Sequence, residues 1–149
     1  MVRKRLVTAL SRFQREETPG QKVIRVPLET YRRGLGELIG AIQDDGAVPV
    51  VITAPRAATI TRRLVHAGHT SSVEEALRLH DTYTETTRQV AMASGAPVID
   101  LAVLFDRPEL FSDDGIHYTQ EGIQHIAGLI YRELVARAII PQPAPGLDH

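Results

Sequence analysis

The stretch "AVPVVITAP", Ala47–Pro55, is a β-branched run with Gly46 before it and a proline at its end. Its valines and isoleucine do not alternate with polar residues, which suits a strand buried on both faces, as in a parallel sheet. Outward from it, toward the N-terminus, Pro27 suits a first helical position. The apolar stripe Leu28, Tyr31, Leu35, Leu38, Ile39 and Ile42 predicts a helix that Gly46 ends. Toward the C-terminus, "RAATITRRLVHAGHTS" (Arg56–Ser71) reads as irregular or weakly helical.

The remaining elements follow in the same rhythm. Ser72 and Glu75 form a capping box ahead of a helix from Val73 to about Ser94. Its predicted inner face is Ala76, Leu77, His80, Tyr83, Thr87, Val90 and Ala91, and Gly95 closes it. "GAPVIDLAVLF" (Gly95–Phe105) supplies a second apolar strand at about Pro97–Leu101. Thr119 caps a last helix with Ile123, Ile126, Ile130 and Leu134 inward, and 141–149 is a loose tail after a domain spanning 1–140. At the other end, Val2, Leu6, Leu10 and Phe13 predict an amphipathic helix over Val2–Glu16. Helices alternating with apolar strands indicate α/β architecture with right-handed crossovers, although two strands make a poor sheet without neighbours.

Composition narrows the function classes. A chain of 149 residues is sized for one domain,. With 17 basic and 18 acidic residues and a net charge of −1, it lacks the electrostatic footprint of a nucleic-acid binder,. There is no cysteine, which removes disulfides, thiolate nucleophiles and thiolate metal sites together,. No apolar run is long enough for a membrane span, and none follows the basic N-terminus as a secretory signal would require. The default expectation is therefore cytoplasmic, with a small molecule or a protein as partner. The sequence also contains no asparagine.

In open parallel sheets, reacting groups gather beyond the carboxyl ends of the strands. The loop after the second strand carries "DDGIH", with Asp114 three residues before His117 and Gly115 allowing the bend. Asp114 can accept from His117 Nδ1–H while Nε2 points outward as a base; the alternative is a helix boundary where both are turn formers. Arg56 leaves the end of the first strand and can hold an anion or a carbonyl oxygen of a substrate. His66 and His69 have the spacing of two metal ligands or of an exposed loop pair, with no third ligand evident. His80 sits on an apolar stripe, Asp100 at a strand end suited to orienting loops or lining a pocket, and His125 on a helix surface.

These residues carry a family likeness. "GAVPVVITAPR", "GAPVIDLAVLF" and "DGIHYTQEGIQHIAGLI", in this order, resemble the C-terminal half of the SGNH (GDSL-type) hydrolases, over about Val26–Leu134. The resemblance implies a flavodoxin-like three-layer α/β/α sandwich, here partial, with a short parallel sheet and its N-terminal strands missing. It implies His117 as general base and Asp114 as its orienter, with no cofactor and no metal. The implied substrate is a small-molecule ester or an acylated carbohydrate, handled by the full-length protein.

The sequence departs from that family in its first half. None of the serines Ser11, Ser71, Ser72, Ser94 and Ser112 stands in a GDS turn, and without asparagine there is no Gly-x-Asn-Asp motif for the oxyanion hole. A triad enzyme stripped of its nucleophile keeps at most about 10³–10⁴ over water, and that residue comes from the oxyanion hole and binding. The chain alone is therefore expected to be inactive as an esterase. Its first strand, the counterpart of the family's fourth, would carry a bare apolar edge suited to an N-terminal-half partner or to a second copy in a homo-oligomer. The alternative is a non-catalytic, degenerate module that binds a protein partner.

Overall fold

A computed structural model of the chain describes residues 26–58, 70 and 72–142. The helix expected over Val2–Glu16, the histidines His66 and His69, and the last residues of the tail lie outside them. The order is α1 (Leu28–Asp44), β1 (Val51–Ile52), α2 (Val73–Ala93), β2 (Val98–Ile99), α3 (Leu101–Leu104), a 3-10 turn (Pro108–Leu110) and α4 (Gln120–Ala136).

The helix ends follow the expected chemistry. Pro27 caps α1, and its carbonyl accepts from Tyr31 N at 2.9 Å. Gly46 takes a φ of +77° just past the end, a conformation that favours glycine,. Ser72 accepts from Glu75 N at 3.1 Å at the start of α2, and Thr119 accepts from Gly122 N at 3.0 Å at the start of α4,. Gly95, at φ +66°, turns the chain from α2 into β2.

β1 and β2 pair in parallel, Val51 opposite Val98 and Ile52 opposite Ile99, so the fold is α/β with a small parallel sheet. Each strand is two residues long, much shorter than the runs that announced them. Two causes are visible. Among the described residues β1 has a ladder neighbour on one side only, through Val51 N to Pro97 O (2.9 Å) and Thr53 N to Ile99 O (3.2 Å). Beyond Ile99 the chain turns at once into α3, with Asp100 at its N-cap.

Among the described residues the core has two parts. Ile39, Val51, Val90, Ala91 and Ala96, with Leu35 and Val98 against them, join α1, α2 and the sheet. Ala57, Phe105, Leu110 and Phe111, joined by Tyr118, Ile126 and Leu129, pack the loops at the carboxyl ends of the strands onto α4.

The inner faces differ from the sequence expectation in two helices. In α2, Thr87, Val90 and Ala91 are buried as expected, but Thr84 and Thr86 join them, while Ala76, Leu77, His80 and Tyr83 are half-buried. Each of these hydroxyls has a partner: Thr86 and Thr87 donate to the carbonyls of Thr82 and Tyr83, both at 2.8 Å, and the Thr84 hydroxyl meets His80 Nδ1 at 3.4 Å,. In α4, Ile123 is 58% exposed, and the packed positions are Gly122, Ile126 and Leu129. Gly122 sets that rotation: a Cβ there would lie 2.4 Å from the Leu110 carbonyl oxygen, so only glycine lets the helix come this close.

Candidate active site

The "DDGIH" turn is held from three sides. Phe111 and Tyr118 form an antiparallel bridge at its base, and Ser112 N donates to His117 O at 2.7 Å. Gly115, at φ +74°, makes the bend, with its N–H donating to Ser112 O at 2.9 Å. Beneath lies an aromatic platform in which the Phe105 ring meets Phe111 at 5.1 Å and Tyr118 at 5.7 Å, both edge-on,. His125 approaches the same Phe105 ring at 5.8 Å, and so serves packing.

The loop leaving β1 is tied to this turn. Tyr118 Oη donates to Pro55 O at 3.1 Å, and Ala57 N donates to Gly115 O at 3.0 Å. Arg56 therefore sits between two residues anchored on the turn, and the ends of both strands form one surface.

Within the turn, Asp114 Oδ1 accepts from the amides of Ile116 and His117, both at 2.9 Å, and Oδ2 meets His117 Nδ1 at 2.5 Å. The bond to the imidazole, then the two amides, hold the carboxyl down at about 2,. An ionised carboxylate has no proton to give, so Nδ1 must be the donor. In the neutral ring the lone pair is then on Nε2, the atom turned away from Asp114. The His117 side chain is 77% exposed, so Nε2 is open to a reactant.

A second network joins the strand ends. Thr53, 1% exposed, donates to Asp100 Oδ1 at 2.6 Å and accepts from Ala102 N at 3.0 Å. Arg88 of α2 grips the same carboxylate with Nε (2.8 Å to Oδ2) and Nη2 (3.0 Å to Oδ1),. These bonds, Arg88 first, lower the Asp100 pKa against the opposing effect of burial. Asp100 thus orients the loops, as its place at a strand end suggested. Thr53 and Arg88 were not singled out from sequence, where nothing marks residues 47 and 12 positions from Asp100 as its partners.

Arg56 does not stand alone. Its Nε and Nη2 bond Asp81 at 2.8 and 2.6 Å, and Nη1 donates to Ala57 O at 3.0 Å. His80, half-buried beside them, has its pKa lowered first by burial and then by the Arg56 charge, with Asp81 opposing. These residues border a cleft of about 280 Å³ next to the Arg88–Asp100 pair. No group of three metal-ligating side chains occurs among the described residues, and no helix there is long and apolar enough to cross a membrane.

Similarity to solved structures shows the α/β arrangement to be a hydrolase-like fold. The chain is similar to a lipase/acylhydrolase from Enterococcus faecalis, with a TM-score of 0.55 at 23% identity, over 79% of this chain and 56% of that one. It is also similar to LAE5, an alpha/beta hydrolase enzyme from the metagenome of Lake Arreo, Spain, with a TM-score of 0.54 at 24% identity, over 72% and 47%. The chain thus spans about half the length of these structures. No family model matches its sequence, and neither does any curated protein.

Proposed function

We propose that this chain carries the acid–base part of a serine esterase or acyl hydrolase of the SGNH (GDSL) type, with His117 as general base and Asp114 as the residue that orients it. The observation that supports this most is the Asp114 carboxylate, ionised, held by two amides and accepting from His117 Nδ1, at the carboxyl end of a parallel sheet in a hydrolase-like fold. In such a reaction Nε2 takes the proton of a serine hydroxyl as Oγ bonds to the ester carbonyl carbon. It then returns that proton to the departing alkoxide as the C–O bond breaks, and water repeats the sequence on the acyl-enzyme. Among the described serines, Ser72 caps α2, Ser94 follows its last turn and Ser112 is in the same turn as His117, so the nucleophile comes from another segment.

The three-layer sandwich is complete, on this reading, when further strands pair with the outer edge of β1. Among the described residues no strand pairs with that edge. Residues 1–140 belong to that domain and 141–149 to its tail. An N-terminal-half partner suits the edge; a second copy would cover it in the chain alone.

Hydrolysis of p-nitrophenyl acetate tests the reading. The purified chain is expected to show no enzyme-like turnover. A polypeptide extended by in-frame upstream codons for a GDS turn and a Gly-x-Asn-Asp motif is expected to turn over, and to lose about 10⁴-fold or more on His117→Ala. Enzyme-like rates from the chain alone, or an extended protein indifferent to His117→Ala, would refute it. Absence of such codons would favour the non-catalytic binding module.

A further inference from the structure

Consecutive peptide units beyond the end of β1 are each held by a different group. The carbonyl of Pro55 accepts from Tyr118 Oη at 3.1 Å, the amide of Ala57 donates to Gly115 O at 3.0 Å, and the carbonyl of Ala57 accepts from Arg56 Nη1 at 3.0 Å. The last hold depends on α2, because Asp81 fixes the same guanidinium through Nε at 2.8 Å and Nη2 at 2.6 Å,. Nε, Nη1 and Nη2 of Arg56 thus all donate within the protein. Ala57 is 8% exposed and Gly115 is buried, so the bond between them is shielded from water.

That bond bears directly on the Asp114 carboxylate. Gly115 O and Ile116 N belong to one planar peptide unit, in which the carbonyl and the N–H point in opposite directions. Holding Gly115 O against Ala57 therefore aims Ile116 N, which donates to Asp114 Oδ1 at 2.9 Å. Gly115, at φ +74° and without a Cβ, restrains that plane less than any other residue would, so its direction depends on the contact with Ala57,. Asp114 Oδ2 in turn meets His117 Nδ1 at 2.5 Å. The Arg56–Asp81 pair lies partly in solvent, at 22% and 58% exposed, and a pair so placed adds little to global stability,. Its bidentate geometry supplies direction instead.

We infer that Arg56, fastened by Asp81, is a positioning residue for the Asp114–His117 pair: it fixes the seat on which the turn rests and, through the Ala57–Gly115 bond, sets the Asp114 carboxylate against His117 Nδ1. This deepens the esterase reading and rests on it only in assigning a reaction to His117.

The labelled full chain is compared at neutral pH with Asp81→Asn, Arg56→Met and the double variant, by amide hydrogen exchange and by proton–nitrogen spectra of the amides and of the His117 ring. In both single variants the Ala57 amide is expected to exchange about tenfold faster, the Ile116 amide to shift, and the share of His117 in the Nε2–H form to rise, while the sheet amide of Val51, bonded to Pro97 O, exchanges as before,. The double variant is expected to move the Ile116 amide no further than Arg56→Met does, since both side chains act through one contact. An Ile116 amide and a His117 ring unmoved by either variant would overturn the inference. So would faster exchange shared equally by Ala57 and Val51, which would leave the pair a structural role only. The two readings fail separately: an extended polypeptide without turnover removes the esterase reading and leaves the amide responses in place, whereas turnover with an unmoved Ile116 amide removes the positioning role.

Discussion

Replacement of Thr53 by valine tests how the strand ends are held. Thr53 is 1% exposed, donates to Asp100 Oδ1 at 2.6 Å and accepts from Ala102 N at 3.0 Å. Valine has nearly the same shape, so packing is kept while both bonds are lost. A hydrogen bond to a charged group contributes about 1.5–3 kcal/mol, and a stranded donor costs about 1–3 kcal/mol. The Asp100 side chain is 30% exposed and Ala102 half-buried, so water recovers part of this loss, leaving about 2–3 kcal/mol,. With a urea slope of about 1.5–2 kcal/mol/M, the midpoint falls by about 1–2 M, measured at one fixed protein concentration because association adds to stability. Thr53→Ser keeps the hydroxyl and loses one methyl, which costs only about 1 kcal/mol. The Asp100 carboxyl is held below its ordinary value, so its contribution is complete above the unfolded pKa and is lost as pH falls through the folded one,. The gap between the Thr53→Val variant and the unaltered chain therefore narrows on acidification. A valine variant as stable as the unaltered chain, or more stable than Thr53→Ser, would refute the reasoning.

Three further outcomes are expected. Gly122→Ala places a Cβ 2.4 Å from the Leu110 carbonyl, so α4 must move away; a loss of about 1–3 kcal/mol in thermal unfolding checks this, and an unchanged midpoint contradicts it,. The Asp114 carboxyl, held at about 2, keeps its bonds to the Ile116 and His117 amides from neutral pH down to below the ordinary carboxylate range, and loses them as pH falls through about 2; amide chemical shifts across an acid titration report the midpoint,. The β1 edge, unpaired among the described residues, predicts concentration-dependent association in sedimentation, and a monodisperse monomer would count against it,.

What the sequence disclosed divides along the range of the interactions. Local chemistry was legible: Ser72 and Thr119 as caps, Gly46, Gly95 and Gly115 at positive φ, and the Asp114 to His117 reach of three residues all depend on near neighbours. Strand length was not, because Ala47–Pro55 is paired only as far as a neighbour is present to pair with it. The Thr53–Asp100–Arg88 network was invisible for the same reason: Thr53 and Asp100 are separated by 47 positions, and only the folded sheet brings their side chains together. Arg56 was picked out by its place at a strand end, yet its bond to Asp81, 25 positions away, turned a lone cation into half of an ion pair. Ile123 was placed inward by its spacing, and the close approach of Gly122 to Leu110 rotates it outward.

The most direct test of the central claim, that His117 is poised as a base by Asp114, is the tautomer of the His117 ring. Two-bond proton–nitrogen correlation spectra of the labelled chain at about pH 8 distinguish the neutral forms. The account predicts the Nδ1–H form, with Nε2 bare, and its loss in Asp114→Asn, whose amide keeps the backbone bonds through Oδ1 but removes the charged acceptor at Nδ1. A neutral His117 protonated at Nε2 in the unaltered chain, or a tautomer unchanged in Asp114→Asn, would contradict it.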